Sequence, residues 1–193
     1  VWTLIYPELE KYCNELMYLK YKPEFLYMVA EAIRRNEFQL KILQKIKTMG
    51  INFCILKGIS AATCYPNPDY RISSDTDILI NPDDEKKVTE FLKENNYKIK
   101  PREKNDHHAK AYHPIGGLLE IHVRLYSIPT EKIIFNNLDL YTENYRLQKF
   151  GEYNLYTLGI NDELIYLTAH YLKHFINEGG GIRQMLDLLL FIE

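Results

Sequence analysis

Apolar positions along this chain change their spacing several times, and each change marks an element. From Pro7 to Met49 the period is helical, with Phe38, Ile42, Leu43, Ile46 and Met49 recurring every three or four residues before Gly50 supplies a stop. Asn52-Phe-Cys-Ile-Leu-Lys57-Gly58 is a continuous apolar run that reads as a short buried strand ending in Lys-Gly. Ile59 to Tyr65 follows as a turn of helix, and Pro66-Asn-Pro68-Asp as a loop. In Arg71-Ile-Ser-Ser-Asp75-Thr-Asp77-Ile-Leu-Ile80 a strand of period two starts with the two aspartates at the head of an apolar run. Thr76, Ile78 and Ile80 share one face, and Asp75, Asp77 and Leu79 share the other.

A helix is predicted from Pro82 to about Asn95. Asn81 is its N-cap, Asp83-Asp84-Glu85 suit the positive end of its dipole, and Val88, Phe91 and Leu92 form its buried stripe. A hairpin is predicted from Tyr97 to Tyr126, turning at Pro114-Ile-Gly-Gly117. In its second strand Leu119, Ile121, Val123 and Leu125 alternate inward, against Glu120, His122 and Arg124. The remainder reads as mostly helical. Asn161–Asn177 places Leu164, Leu167, Tyr171, Leu172 and Phe175 in one stripe, and a last helix starts near Ile182 after the Gly179-Gly-Gly181 break.

Length and composition narrow this picture. With 193 residues and 46% hydrophobics the chain can bury one core with a helical extension. The organisation expected is an N-terminal helical region (1–50), an αβ core (51–130) and a C-terminal helical region (131–193). The chain opens on Val1, and Asp187–Glu193 stops inside an apolar helical pattern, so trimmed ends are expected. A formal net charge of −2 argues against stable, sequence-independent nucleic-acid binding, though not against a transient RNA or tRNA substrate. No stretch approaches about eighteen consecutive apolar residues, so no membrane partner is expected. Cys13, Cys54 and Cys64 lack metal-ligand spacing, and so sparse a count suits a reducing, cytoplasmic setting.

Asp75 and Asp77 carry the chemistry. Two carboxylates on one side of a strand repel unless a cation lies between them, and Mg²⁺ is the usual hard, oxygen-seeking ion. The competing account is a solvated Ser-Ser-Asp turn. Glu120 presents a third carboxylate from a second strand; its ordinary alternative is a surface pair with Arg124.

The ordered set Leu56-Lys57-Gly58, Tyr65-Pro66, Arg71, Ser74-Asp75-Thr76-Asp77-Ile78-Leu79-Ile80 and Leu119-Glu120-Ile121-His122 resembles the uncharacterised nucleotidyltransferase family of the polymerase-β-like superfamily. Ala169-His170 to His174 and Asp187-Leu188 fit it too, and the resemblance runs from about Leu40 to the C-terminus. It implies an α+β fold, in which a small mixed β-sheet is flanked by N-terminal helices and a C-terminal helical region closes over the nucleotide. One departure is that Gly58 is followed by Ile59 and lies seventeen residues before Asp75, where the superfamily places Gly-Gly or Gly-Ser nearer the Asp pair.

On this resemblance Asp75, Asp77 and Glu120 are the catalytic and metal-binding residues for Mg²⁺ (or Mn²⁺). Lys57, Gly58, Ser60, Arg71 and Ser74 are the nucleotide-binding candidates. A Lys beside Gly at a strand end offers a point charge and free N–H groups to polyphosphate, and Arg adds a forked donor. Arg71 could instead pair with Asp69 or Asp75. His122, His170 and His174 are pocket candidates. His170 and His174 share a helical face, but Tyr171 stands where a metalloprotease motif needs Glu, and packed structural histidines remain the alternative. His107, His108 and His113 read as strand decoration, and Arg183 with Asp187 as an intrahelical pair.

The function expected is Mg²⁺-dependent transfer of a nucleoside monophosphate, AMP from ATP, to an unidentified small-molecule or protein acceptor. Two alternatives stand beside it. One is a catalytically inactive nucleotide-binding module, the other a toxin–antitoxin-type enzyme acting on protein or tRNA.

Overall fold

The computed structural model describes residues 1–125, 144–179 and 181–193. Tyr126 and most of the connection after it lie outside the described residues. Two helices open the chain, α1 (Trp2–Leu9) and the long α2 (Glu15–Thr48), and Gly50 ends the second at φ 76°. Then come β1 (Phe53–Leu56), the single turn α3 (Gly58–Ala62), β2 (Asp75–Ile80) and α4 (Glu85–Glu94). A 3₁₀ turn at Pro82–Asp84 leads into α4, and the Asn81 side chain caps it by accepting from the Asp83 N–H at 3.0 Å. Three strands follow, β3 (Lys98–Lys100), β4 (His108–His113) and β5 (Gly117–His122), with the hairpin turn where the alternation placed it.

The segment after residue 131, expected to be mostly helical, contains a second hairpin made of β6 (Tyr145–Phe150) and β7 (Tyr153–Leu158). Only Phe150 of β6 is buried, so the apolar alternation that announces a strand is almost absent there. The chain finishes with α5 (Ile160–Glu178) and α6 (Ile182–Ile192). Among the described residues no helix is long and apolar enough to cross a membrane.

The strands form one seven-stranded mixed sheet in the order β3-β4-β5-β2-β1-β7-β6. β2 runs parallel to β5 and β1 parallel to β7; the other pairs are antiparallel. One face packs on α2 and α4. Leu43, Ile46, Val88 and Leu92 from the helices meet Ile55, Ile78, Leu119, Ile121 and Leu155 in the main core. Each fully buried aliphatic side chain there contributes about 1.5–3 kcal/mol. The other face packs on α5 through a smaller cluster of Cys54, Leu56, Leu79, Leu158, Tyr166 and Ala169. α1 lies on α2 in a separate aromatic cluster, with Tyr6 stacked on Tyr18 and Phe25.

Two expectations need correction here. The buried face of α5 is Glu163, Tyr166, Leu167 and Ala169, whereas Leu172 and Phe175 of the predicted stripe are 43% and 55% exposed. Leu125, expected to follow Val123 inward, joins the α5-side cluster instead, because β5 ends at His122 and strand alternation ends with it.

Candidate active site

The period-2 pattern of β2 and β5 turns into a site because the two strands are parallel neighbours in one register. Ile78 stands opposite Ile121 on the dry face, and Asp77 stands opposite Glu120 on the α5 face. Adjacent strands lie about 4.8 Å apart, so two carboxylates in register must share one small volume. Asp77 is 1% exposed and Glu120 is also buried. The carboxylates therefore occupy a cleft roofed by α5 rather than an open sheet face. Asp75, two residues earlier, stands opposite Leu118. Lacking an acidic cross-strand neighbour, it stays nearer the cleft mouth, where its Oδ1 accepts from Ser73 Oγ at 3.0 Å and Ser74 Oγ at 3.3 Å.

Cations offset this charge. Lys57 Nζ lies 3.1 Å from Asp77 Oδ1, and His122 Nε2 donates to the same oxygen at 2.9 Å. Lys57 sits at φ 32°, a backbone region that non-glycine residues rarely adopt, at the turn from β1 into α3. Glu120 has His122 Nε2 at 3.6 Å, His108 Nε2 at 3.5 Å and Lys110 Nζ at 3.3 Å. Its surface alternative is thereby replaced, since Arg124 donates to the Asp106 carbonyl. Burial alone would raise the Glu120 pKa, but His122, His108 and Lys57 outweigh it and hold the carboxyl well below its usual range. Burial works against charge on Lys57 and His122 too, yet Asp77 and its acidic neighbours lift both above their ordinary values.

One atom in this network is left over. Asp77 Oδ2 is buried and has no hydrogen-bond partner among the described residues. A buried anionic oxygen without a partner costs several kcal/mol, and a cation is the usual remedy. Ligand atoms of Asp77, Glu120 and His122 all lie within 4.8 Å of one another. These residues fit a divalent ion by donor type and by spacing; Asp75 stands outside that close trio.

The cleft has two adjoining halves that share Lys57, Asp75, His170 and His174. One, about 160 Å³, is bordered by Gly58, Arg71, Ser73, Ser74, Arg183 and Gln184. The other, about 250 Å³, is bordered by His108, Lys110, Glu120, His122, Tyr166 and Lys173. Both α5 histidines thus line the cleft. Burial and the nearby Lys57 charge press the His170 pKa down to about 2, so its imidazole is neutral at pH 7.

Arg71 pairs with neither Asp69 nor Asp75. Its guanidinium binds Asp187 of α6 in a bidentate pair, at 3.0 and 2.5 Å, and Tyr65 Oη adds a third bond to that carboxylate at 2.7 Å. Asp187 is therefore spoken for, and Arg183 donates to the Ile72 carbonyl at 3.0 Å instead of forming the intrahelical pair. Arg71 Nη1 and Arg183 Nε remain buried without hydrogen-bond partners among the described residues.

Ser60 does not reach the cleft. It is fully buried and donates to Glu163 at 2.5 Å, in a network that Arg146 completes at 2.6 Å. The physical reason is the direction of α3, which turns Ser60 under the sheet toward α5.

Several cleft residues escaped the sequence reading: Ser73, His108, Lys110, Gln184 and Lys173. A signal existed for two of them. With the hairpin turn at residues 114–117, counting back along β4 places Lys110 opposite Glu120 and His108 opposite His122, as observed.

Comparison with known proteins gives the site a setting. An antigenic nucleotidyltransferase-like protein from Paracoccidioides brasiliensis is similar in structure, with a TM-score of 0.52 and 16% identity over 83% of this chain and 76% of its own. The lincomycin-bound lincosamide antibiotic adenylyltransferase LnuA is similar at TM-score 0.53 and 15% identity, covering 79% of this chain and 93% of its own. ANT(2")-Ia in complex with adenylyl-2"-tobramycin is similar at TM-score 0.56 and 10% identity, covering 81% and 86%. At such identities the likeness is one of fold. A search of curated proteins finds no match. The decisive match is to a sequence family described as "Uncharacterised nucleotidyltransferase", which takes in residues 1–193. The chain belongs to that family, and it is a nucleotidyltransferase.

Proposed function

We propose that this transferase moves AMP from ATP onto an acceptor hydroxyl or similar group of a small molecule or protein, with Mg²⁺ (or Mn²⁺) as its metal. The observation that carries the reading is Asp77. It is buried opposite Glu120 with one oxygen unpartnered, bonded to Lys57, a residue that lines both polar half-clefts. In the half beside Gly58, Ser73 and Ser74, the spare donors of Arg71 and Arg183 suit a polyphosphate. The other half, around Glu120 and His122, would take the acceptor.

Held by Asp77 and Glu120, with Asp75 at the mouth, the ion would stabilise charge on the α-phosphate and on departing pyrophosphate. The acceptor oxygen attacks the α-phosphorus and a new P–O bond forms. The bond to the bridging oxygen breaks, and pyrophosphate leaves with that electron pair toward Lys57 and the arginines. Glu120, held so far below the ordinary carboxylate range, is a poor proton acceptor and serves better as a ligand. Neutral His170, whose own pKa is pressed down to about 2, is no stronger a base; at the shared wall it can accept a hydrogen bond from the acceptor hydroxyl and orient it, while the proton passes to solvent through the cleft. The adenylyl group and small-molecule acceptors named for the structural neighbours support AMP and a small-molecule target. The free thiols Cys13, Cys54 and Cys64 suit a cytoplasmic setting.

Calorimetry with each of the four nucleoside triphosphates, with and without Mg²⁺, tests this, read alongside pyrophosphate release. The expected result is metal-dependent binding of ATP, with pyrophosphate released by wild type and not by Asp77→Asn. Absence of triphosphate binding under every metal condition would overturn it.

A further inference from the structure

Beside the carboxylates lies a second group of ligand-type side chains, for which nucleotidyl transfer has no evident need. His107, His108 and His122 each offer a ring nitrogen, and these atoms all lie within 4.8 Å of one another. The cluster follows from the hairpin. His108 and His122 are cross-strand partners in the β4–β5 register, so their rings stand side by side on one face of the sheet, 5.0 Å between centroids. His107 would face the opposite way if the strand continued through it. It precedes the first residue of β4, however, and is free of that alternation, so its ring folds back to 4.5 Å from His108 and 5.2 Å from His122.

We infer that His107, His108 and His122 form a binding site for a borderline transition-metal ion, best suited to Zn²⁺, distinct from the oxygen-rich site of Asp77 and Glu120. Three observations carry this. First, His107 Nε2 and His108 Nδ1 are 3.2 Å apart, joined by a hydrogen bond that an ion bound between them would replace. That separation is close to the edge of about 3.3 Å that a tetrahedral ion with Zn–N bonds of about 2.0–2.1 Å requires between two ligands. Second, His122 commits Nε2 to Asp77 and leaves Nδ1 buried, with no hydrogen-bond partner among the described residues. A carboxylate on one imidazole nitrogen and an ion on the other is the usual arrangement of a metal-binding histidine, because the carboxylate fixes the tautomer and strengthens the ligand. Third, the donors are all nitrogen. Imidazole suits Zn²⁺ and its neighbours in the series, whereas Mg²⁺ seeks oxygen. Glu120 Oε1, 3.5 Å from His108 Nε2, stands ready to orient that ring in the same way.

The two sites meet at His122, the residue common to both groups. The proposal goes beyond the transfer reaction, and it is tested without nucleotide, so its failure leaves the transfer reading untouched. Full-length protein, stripped with chelator, is titrated with Zn²⁺ by calorimetry in excess Mg²⁺. Wild type should bind one ion that Mg²⁺ does not displace, and His107→Ala and His108→Ala should each weaken it at least about tenfold. Asp75→Asn should bind Zn²⁺ as wild type does. A readout needing no variant is histidine-ring NMR of the wild-type chain with Co²⁺, which should perturb the signals of these three rings while sparing His113. Equal Zn²⁺ affinity in wild type and both alanine variants overturns the site, as does Zn²⁺ binding that only Glu120→Gln abolishes. A Co²⁺ titration that leaves the rings of His107 and His108 unmoved overturns it as well.

Discussion

The two faces of β2 and β5 share a backbone and nothing else. Ile78, Leu119 and Ile121 point into the dry core under α2 and α4, while Asp77, Glu120 and His122, one step away along the same strands, crowd together under α5. The first set interlocks by shape, and every member gains by leaving water. The second set gains nothing from burial, and stays buried because Lys57 and Lys110 set opposite charge against it. Cohesion therefore resides on one side of the sheet and reactivity on the other. A substitution should report which side it touched.

The severest test is the exception, a structural ion pair on the reactive side. Asp187→Ala would leave Arg71 buried and uncompensated, and should lower unfolding free energy by about 3–5 kcal/mol in a urea titration. A loss under about 1 kcal/mol would mean that α6 is not held by this pair. Next comes Asp77→Asn, which keeps shape and removes the charge. Pyrophosphate release should fall roughly a hundredfold or more, equivalent to about 2.7 kcal/mol, and the melting temperature should fall too, because Lys57 and His122 lose the buried carboxylate they face. Equal melting shifts on adding Mg²⁺-ATP to variant and wild type would contradict it.

The opposite face should answer in the opposite way. Ile121→Val removes one methylene from the dry core and should cost about 0.5–1.5 kcal/mol of stability while leaving transfer kinetics as in wild type. A kinetic defect in this variant would show that the two faces are coupled through β5. The smallest effect is acid sensitivity. The His170 pKa is depressed to about 2 in the folded protein, whereas an unfolded histidine titrates near its ordinary value of 6.5. Between those values the unfolded chain binds a proton that the folded one refuses, so stability falls as pH drops below 6.5. Melting at pH 7 and pH 5 should show wild type losing more than His170→Gln. The difference should be no more than about 1 kcal/mol, since the ring is partly exposed and screened.

What could be read in advance was local. The strand from Asp75 to Ile80, the cap at Asn81 and the Pro114–Gly117 turn depend on neighbours in sequence, and each lies where the pattern placed it. Partnerships across the chain were opaque for the converse reason. Arg71 had two acidic candidates close by, but its partner is Asp187, 116 residues away, because α6 brings a carboxylate into a pocket that excludes water. Ser60 has the residue type of a phosphate ligand, yet a five-residue helix points it at Glu163. β6 escaped notice because a sheet-edge strand with one buried side chain carries little alternation to detect. His108 and Lys110 were legible only through hairpin register, which takes the turn and both strands together, and His107, ahead of β4, was not legible even so.

The parallel pairing of β2 with β5 has a consequence for inheritance. No tight turn joins these strands, so their alignment is fixed by side chains and hydrogen bonds alone, and the connection between them is free to lengthen or shorten over generations. Within β5 the rule is parity. A single inserted residue ahead of Leu119 would exchange the two faces, driving Glu120 and His122 into the apolar layer and bringing Leu119 opposite Asp77. Two inserted residues would keep the faces and move the acid along the strand by one repeat. Lineages descended from such a chain can drift widely in loop length, while within this strand only even steps leave a heritable site.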